Sequence, residues 1–191
     1  MAKLYFYYSA MNAGKTTTLL QADFNYKERG LNTILYTAAI DNRFAKGKIT
    51  SRIGLEADAH MFDSHTNLLS ELKKHHKTTP LNCVLIDEAQ FLTAQQVDDL
   101  ANFCDTHSTP ILCYGLRTDF KGALFSGSKR LLAIADELVE LKTICACGAK
   151  ATMNLRVDSQ GKGLKKGTQT EIGGNESYTS MCRKHFYEAL S

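Results

Sequence analysis

The stretch Ser9-Ala10-Met11-Asn12-Ala13-Gly14-Lys15-Thr16 limits what this chain can fold into more than any other. It leaves an apolar aromatic run, Leu4-Tyr5-Phe6-Tyr7-Tyr8, that suits a strand, and enters Thr16-Thr17-Thr18-Leu19-Leu20-Gln21-Ala22, which suits a helix. A strand, a tight loop closing on Gly-Lys-Thr and a helix make a P-loop. In such a loop successive backbone N–H groups wrap phosphate oxygens and the helix N-terminus adds positive potential. Lys15 reaches the β- and γ-phosphates, and the Thr16 hydroxyl ligates Mg2+. Ser9 stands where the strict pattern has glycine, so a plain helix start carrying a lysine is the competing reading; the flanking strand and helix favour the P-loop.

A parallel α/β sheet follows from what comes next. Arg29-Gly30 ends the first helix, and Asn32-Thr33-Ile34-Leu35-Tyr36-Thr37 reads as a second strand, a βαβ start. Asp41-Asn42-Arg43-Phe44 then falls at the carboxyl end of that strand, where open α/β sheets bind ligands. Arg43 there is either a phosphate contact or a solvated loop arginine. Ile49 to Phe62 is ambiguous and is expected to hold a short strand or two around Gly54. Asn67 to His76 reads as a helix with Leu68, Leu69 and Leu72 inward and His75 and His76 on a solvated end.

The second motif is Cys83-Val84-Leu85-Ile86 running into Asp87-Glu88-Ala89-Gln90-Phe91. A continuously apolar run is what a strand buried on both faces needs, and an acidic pair at its end, downstream of a P-loop, is the Walker B arrangement. Side chains alternate along a strand, so the two carboxylates serve different sides. Asp87 is assigned to Mg2+ and Glu88 to the acceptor, as a base for an attacking hydroxyl. Capping of the next helix is the rival role for the pair, but Thr93 is itself a good N-cap. Thr93 to Thr106 is then a helix with Val97, Leu100, Ala101 and Cys104 on its core face. Pro110 to Tyr114 is a further buried strand ending at Gly115-Leu116-Arg117-Thr118-Asp119-Phe120, with Phe120, Leu124 and Phe125 either core or the wall of an apolar pocket. Leu131 to Ala135 reads as a helix and Glu137 to Leu141 as a last strand.

With 191 residues, 43% of them hydrophobic, the chain can bury a core of ordinary domain size. Its net charge of +3 is scattered except around Lys162 to Lys166, too weak a signal for a nucleic-acid surface. No apolar run approaches a membrane span, and Met1-Ala2-Lys3 leads straight into a strand without a signal-peptide core, so a cytoplasmic protein is expected.

Six cysteines fall into two groups. Cys83, Cys104 and Cys113 lie in apolar settings and read as small core residues. Cys145, Cys147 and Cys182 sit in polar, glycine-rich surroundings, and with His185 they form a C-x-C and a C-x-x-H separated by an alternating strand, Ala151 to Val157, and a turn at Asp158 to Gly161. That set suits a tetrahedral Zn2+ site, with free thiols as the competing reading. Residues 144–191 are too few for a core of their own, so they are expected to form a small metal-held module beside an ATP-binding domain over residues 1–143.

Taken together, Y-Y-S-A-M-N-A-G-K-T, D-N-R-F, V-L-I-D-E-A-Q-F, C-Y-G-L-R-T-D-F and I-G-G-N-E-S-Y-T-S-M-C-R-K-H resemble the type II thymidine kinases from end to end of the chain. The resemblance implies a P-loop NTPase-like parallel sheet with helices on both faces and a C-terminal zinc module carrying a lasso loop. It implies transfer of the γ-phosphoryl of ATP to the 5′-hydroxyl of thymidine. Glu88 would be the general base; Ser9, Ala10, Met11, Asn12, Ala13, Gly14, Lys15, Thr16, Arg43, Asp87, Glu88, Ala89 and Gln90 would serve ATP and Mg2+. Met11, Phe91, Leu116, Phe120, Phe125 and Tyr178 would enclose the nucleoside, with Gly173, Gly174 and Asn175 in the lasso. Cys145, Cys147, Cys182 and His185 would hold structural zinc, which is expected to anchor the lasso and to leave ATP affinity largely intact. A homotetramer, with no nucleic-acid or membrane partner, completes the expectation. The shortened C-x-C and His185 depart from the four-cysteine form of some relatives.

Two other classes share parts of this pattern. D-E-A-Q resembles a helicase motif, but a helicase clamp needs two ATPase lobes and this chain has room for one. A regulatory GTPase would need a guanine-reading N-K-x-D element, which the sequence lacks.

Overall fold

Every strand that the apolar runs suggest pairs into one parallel sheet. The computed structural model describes residues 1–40, 47–169 and 178–191. Leu4–Ser9 (β1) leads through the P-loop into Lys15–Glu28 (α1), followed by Thr33–Ala38 (β2). Lys48–Thr50 (β3) and Glu56–Asp58 (β4) form a small antiparallel pair, and His60–Phe62 (β5) joins the main sheet. Then come Leu68–Thr78 (α2), Cys83–Ile86 (β6), Ala94–His107 (α3), Ile111–Leu116 (β7), Ser126–Ile134 (α4) and Glu137–Glu140 (β8). The sheet is six-stranded with the order β5-β2-β6-β7-β1-β8, and its pairings are all parallel. Thus β7 lies between the P-loop strand and the acidic strand, and the carboxyl ends of all three open on the same edge.

Alternation along the strands sorts the core into two layers, as a sheet covered on both faces requires. On one face Leu35, Cys83, Leu85, Leu112 and Tyr114 pack against Leu19 and Leu20 of α1. On the other, Leu4, Phe6, Ile34, Val84, Ile86, Ile111 and Cys113 meet Leu68, Leu72, Val97, Leu100, Phe103 and Leu131 of α2, α3 and α4. Neighbouring strands bring Tyr7 and Tyr114 into a stack with ring centroids 4.5 Å apart. Cys83, Cys104 and Cys113 are buried in these layers. Thr93 caps α3 through a full capping box with Gln96, which relieves the acidic pair of that task.

Three expectations need correction. The end of α2 is not solvated at its histidines: His76 and His75 are half-buried, the Leu81 N–H donates to His76 Nδ1 at 3.1 Å, and the His76 ring meets Phe103 edge-on at 5.7 Å. Packing of α2 on α3 turns that face inward. The helix expected from Leu131 starts at Ser126, because Gly127 lets it ride directly over the turn after β6; a methyl group at Gly127 would lie 2.5 Å from the Ala89 carbonyl oxygen. The strand expected over Ala151 to Val157 is interrupted at Thr152, giving Lys150–Ala151 (β10) and Met153–Arg156 (β11).

The C-terminal part is made of short pairs. Thr143–Ile144 (β9) pairs with β10, and β11 pairs antiparallel with Tyr178–Met181 (β12), which runs into Arg183–Leu190 (α5). Met153, Leu155 and Phe186 form a small cluster of their own. The boundary expected after residue 143 falls inside β9. Among the described residues no helix is long and apolar enough to cross a membrane.

Candidate active site

The P-loop geometry comes from two left-handed residues, Asn12 at φ 64° and Gly14 at φ 77°. A glycine at the second position avoids the steric cost of that conformation just where the chain turns into α1. Gly14, at the N-cap of α1, has no side chain to cap it, so the N-terminal dipole faces the loop mouth. Ser9 and Ala10 are buried, Asn12 and Gly14 are exposed, and Ala13, Lys15 and Thr16 are half-buried. The Lys15 ammonium donates to Ser9 Oγ at 2.9 Å and to the Ala10 carbonyl oxygen at 3.0 Å. The serine at the strict pattern's glycine position thus holds the lysine over the loop.

Across β7, Thr16 Oγ1 donates to Asp87 Oδ2 at 3.2 Å. Asp87 is 5% exposed. Burial, and then the neighbouring Glu88 charge, push its carboxyl up to about 7, against the pull of the Glu88 N–H, Lys15 and Thr16. A hydroxyl and a carboxylate set side by side offer the oxygen donors that suit Mg2+.

Glu88 takes the left-handed conformation, φ 53°, at the junction between β6 and a single 3-10 turn, Ala89–Phe91. That turn of the backbone separates its side chain from that of Asp87. Gln90 is buried behind it and bridges two elements: its Nε2 donates to Glu88 Oε2 at 2.5 Å, while its Oε1 accepts the Leu116 N–H at 3.0 Å. Ala89 is fully buried under α4. Ala89 and Gln90, expected with the nucleotide contacts, therefore stand behind the acidic pair, where Gln90 orients Glu88. Sequence reasoning missed that role, because it depends on β7 lying next to β6.

The residues expected around a nucleoside gather at the same edge. Phe91 and Phe125 meet edge-on at 5.7 Å. Leu116 ends β7, and Ser128 Oγ of α4 donates to its carbonyl oxygen at 2.5 Å. Phe120 is buried beneath the Arg156 guanidinium, 5.1 Å from its ring centroid. Tyr178 pairs with Arg156 across β11 and β12, and burial raises its phenol above the usual range. Met11 joins this group through β11, its N–H donating to Asn154 Oδ1 at 2.8 Å. Two side chains absent from the sequence-based set, Asn154 and Ser180, thus touch the P-loop. Arg43, Gly173, Gly174 and Asn175 lie outside the described residues.

Cys145, Cys147, Cys182 and His185 converge, their ligand atoms all within 4.8 Å of one another. Cys145 Sγ lies 3.3 Å from His185 Nδ1, and Cys147 Sγ lies 4.0 Å from Cys182 Sγ, too far for a disulfide. Zinc–sulfur bonds of about 2.3 Å in a tetrahedron put ligand atoms a little under about 4 Å apart, so the donor set fits. Backbone N–H groups of Cys147 and Cys182, then His185, draw the Cys145 thiol down to about 6, towards the thiolate a metal binds.

These features agree with comparisons to known proteins. A family model described as "Thymidine kinase" matches residues 2–186. The thymidine kinase of Zymomonas mobilis subsp. mobilis is 61% identical over 191 residues, covering 100% of this chain and 99% of its own. That of Shewanella oneidensis is 60% identical over 190 residues, covering 100% and 99%. That of Haemophilus influenzae (strain ATCC 51907) is 60% identical over 188 residues, covering 98% and 97%.

Proposed function

Because the chain belongs to the thymidine kinase family, we propose that it is an ATP-dependent kinase that transfers the γ-phosphoryl of ATP to the 5′-hydroxyl of thymidine. The observation that carries the substrate assignment is the likeness to thymidine kinases along the whole chain. The 5′-oxygen forms a bond to the γ-phosphorus as the bond to the β,γ-bridging oxygen breaks, leaving dTMP and ADP.

Phosphoryl transfer asks for positioning and charge stabilisation more than for covalent chemistry. In this reading Lys15 leaves Ser9 and Ala10 to follow the γ-phosphoryl, and backbone N–H groups from Asn12 to Thr16 cradle the phosphates. Thr16 and Asp87 would hold Mg2+, which would supply positive charge to offset that of the phosphates. Glu88, oriented by Gln90, accepts the 5′-hydroxyl proton. Met11, Phe91, Leu116, Phe120, Phe125 and Tyr178 close on the nucleoside, joined by the lasso residues Gly173, Gly174 and Asn175, while Arg43 steadies the transferred group. Cys145, Cys147, Cys182 and His185 would hold zinc in a structural role, since the four side chains could fill a tetrahedral site. Residues 1–143 act as the nucleotide domain and 144–191 as the nucleoside module of a cytoplasmic homotetramer, whose subunit number light scattering would read.

The test offers purified protein labelled ATP with thymidine or with single-stranded DNA. Label recovered in dTMP is the expected result. ATP hydrolysis stimulated by DNA, with no labelled dTMP, would overturn it.

A further inference from the structure

Both backbone groups of Met11 are taken by side chains of the C-terminal strands. Its N–H donates to Asn154 Oδ1 at 2.8 Å, and its carbonyl oxygen accepts from Ser180 Oγ at 2.6 Å. Asn154 and Ser180 face each other directly in the β11–β12 pair. They are 2% and 9% exposed, so water competes little for these bonds. The Asn154 amide is fixed in turn, its Nδ2 donating to the Thr118 carbonyl oxygen at 3.1 Å just past β7. With a donor on one side and an acceptor on the other, only this orientation of the amide satisfies both.

The chain turns left-handed immediately afterwards, at Asn12. A loop with positive-φ residues on either side of Ala13, at Asn12 and Gly14, is held by its surroundings rather than by its own preference. Thr143 Oγ1 adds one more tie, donating to the Asn12 carbonyl oxygen at 3.4 Å. The Met11 N–H, pledged to Asn154, is not among the groups free to meet a phosphate, so the cradle begins at Asn12.

We propose that Asn154 and Ser180 are positioning residues of the phosphate-binding loop: by gripping Met11 from both sides they aim the N–H groups of Asn12 to Thr16. The C-terminal module then sets nucleotide affinity as well as serving the nucleoside. This rests on the reading of Ser9 to Thr16 as the ATP site. Removing Asn154 leaves the part-buried Met11 N–H without this partner and releases the Thr118 carbonyl together, whereas removing the Ser180 hydroxyl frees one carbonyl. A lost part-buried hydrogen bond of this kind corresponds to about a tenfold change in an equilibrium.

Calorimetric titration of the full-length protein with Mg-ADP tests this, using wild type, Asn154→Ala, Ser180→Ala, Ser180→Thr and the double variant Asn154→Ala/Ser180→Ala, each shown folded by its melting curve. Asn154→Ala is expected to weaken Mg-ADP about tenfold and Ser180→Ala somewhat less. Ser180→Thr, which keeps the hydroxyl, is expected to bind as wild type. Because both side chains act on one residue, the double variant loses less than the product of the single effects. In turnover the KM for ATP rises more than kcat falls. If Asn154→Ala does not fold, Ser180→Ala against Ser180→Thr decides alone. Lower melting temperatures with Mg-ADP affinity within about twofold of wild type would mean packing only and would overturn the proposal. A wild type that binds no Mg-ADP would bring down the ATP-site reading and this inference with it; a binding wild type with unaltered variants brings down this inference alone.

Discussion

Thr16 lies in the first turn of α1, after β1, and Asp87 directly follows β6, with β7 between those strands, yet the threonine hydroxyl donates to the aspartate carboxylate at 3.2 Å. The P-loop and the acidic strand are thereby coupled before any nucleotide arrives, and the proton balance of Asp87 becomes part of nucleotide binding.

That balance has a definite sign. The Asp87 carboxyl is raised from an ordinary 3.8 to about 7, so between those values the folded chain holds a proton that the unfolded chain has lost. In the metal-free protein this contribution to stability falls as pH rises across that window. Mg2+ binding needs the carboxylate, so Mg-nucleotide binding should release a proton below about pH 7 and tighten as pH rises towards it. Titrations in buffers of different ionisation heat measure the proton, and Asp87→Asn should abolish it.

Lys15→Ala should lower kcat by about 10²-fold or more, since it removes the charge that tracks the γ-phosphoryl. Thymidine binding should survive. Near-normal turnover in the folded variant would show that Lys15, resting on Ser9 and Ala10, stays there throughout.

Glu88→Gln keeps the shape beside Gln90 but cannot take the proton, and loss of base catalysis typically costs about 10²–10⁴-fold in kcat. Mg-ATP should still bind, whereas Asp87→Asn should weaken it. Nucleotide titrations giving the reverse pattern would show the two roles exchanged.

Much of this was legible because chemistry ties residue type to position. Gly14-Lys15-Thr16 and Asp87-Glu88 announce themselves through flanking strands, and both sit at the same sheet edge. The three residues of β5 carry no periodicity, so nothing in Ile49 to Phe62 marked them as a strand of the main sheet. The start of α4 was hidden because Ser126-Gly127-Ser128 has poor helix propensity, and its reason to be helical is the close passage over Ala89. Gln90 and Asn154 read as ordinary polar residues; their meaning lies in partners 26 and 143 positions away.

The same long-range contact changes the expectation for metal removal. Zinc at Cys145, Cys147, Cys182 and His185 was expected to serve the nucleoside loop and spare ATP binding. However, Cys182 directly follows β12, and β12 carries Ser180 onto Met11. Chelation or Cys182→Ser should therefore lower the melting temperature, raise the KM for thymidine and weaken Mg-ADP together. Metal analysis comes first: a fully active preparation with almost no zinc would remove the module's metal, and a chelated protein with unchanged Mg-ADP affinity would restore the simpler expectation.

The division of the cysteines makes the protein self-reporting towards thiol reagents. Burial holds Cys83 at about 12 and Cys104 at about 11 and pushes Cys113 higher still, so in the native chain these three present neither thiolate nor access. The C-terminal cysteines differ: Cys147 is exposed and Cys182 is half-exposed, while Cys145, though buried, is drawn towards its thiolate. If zinc occupies the Cys145, Cys147, Cys182 and His185 site as proposed, an aromatic disulfide reagent should label the molecule in two waves, the first when a chelator removes the metal from these cysteines, the second only when denaturant opens the sheet. The interval between the waves would give, from a colour change alone, the span of conditions over which the main sheet outlives its C-terminal clasp.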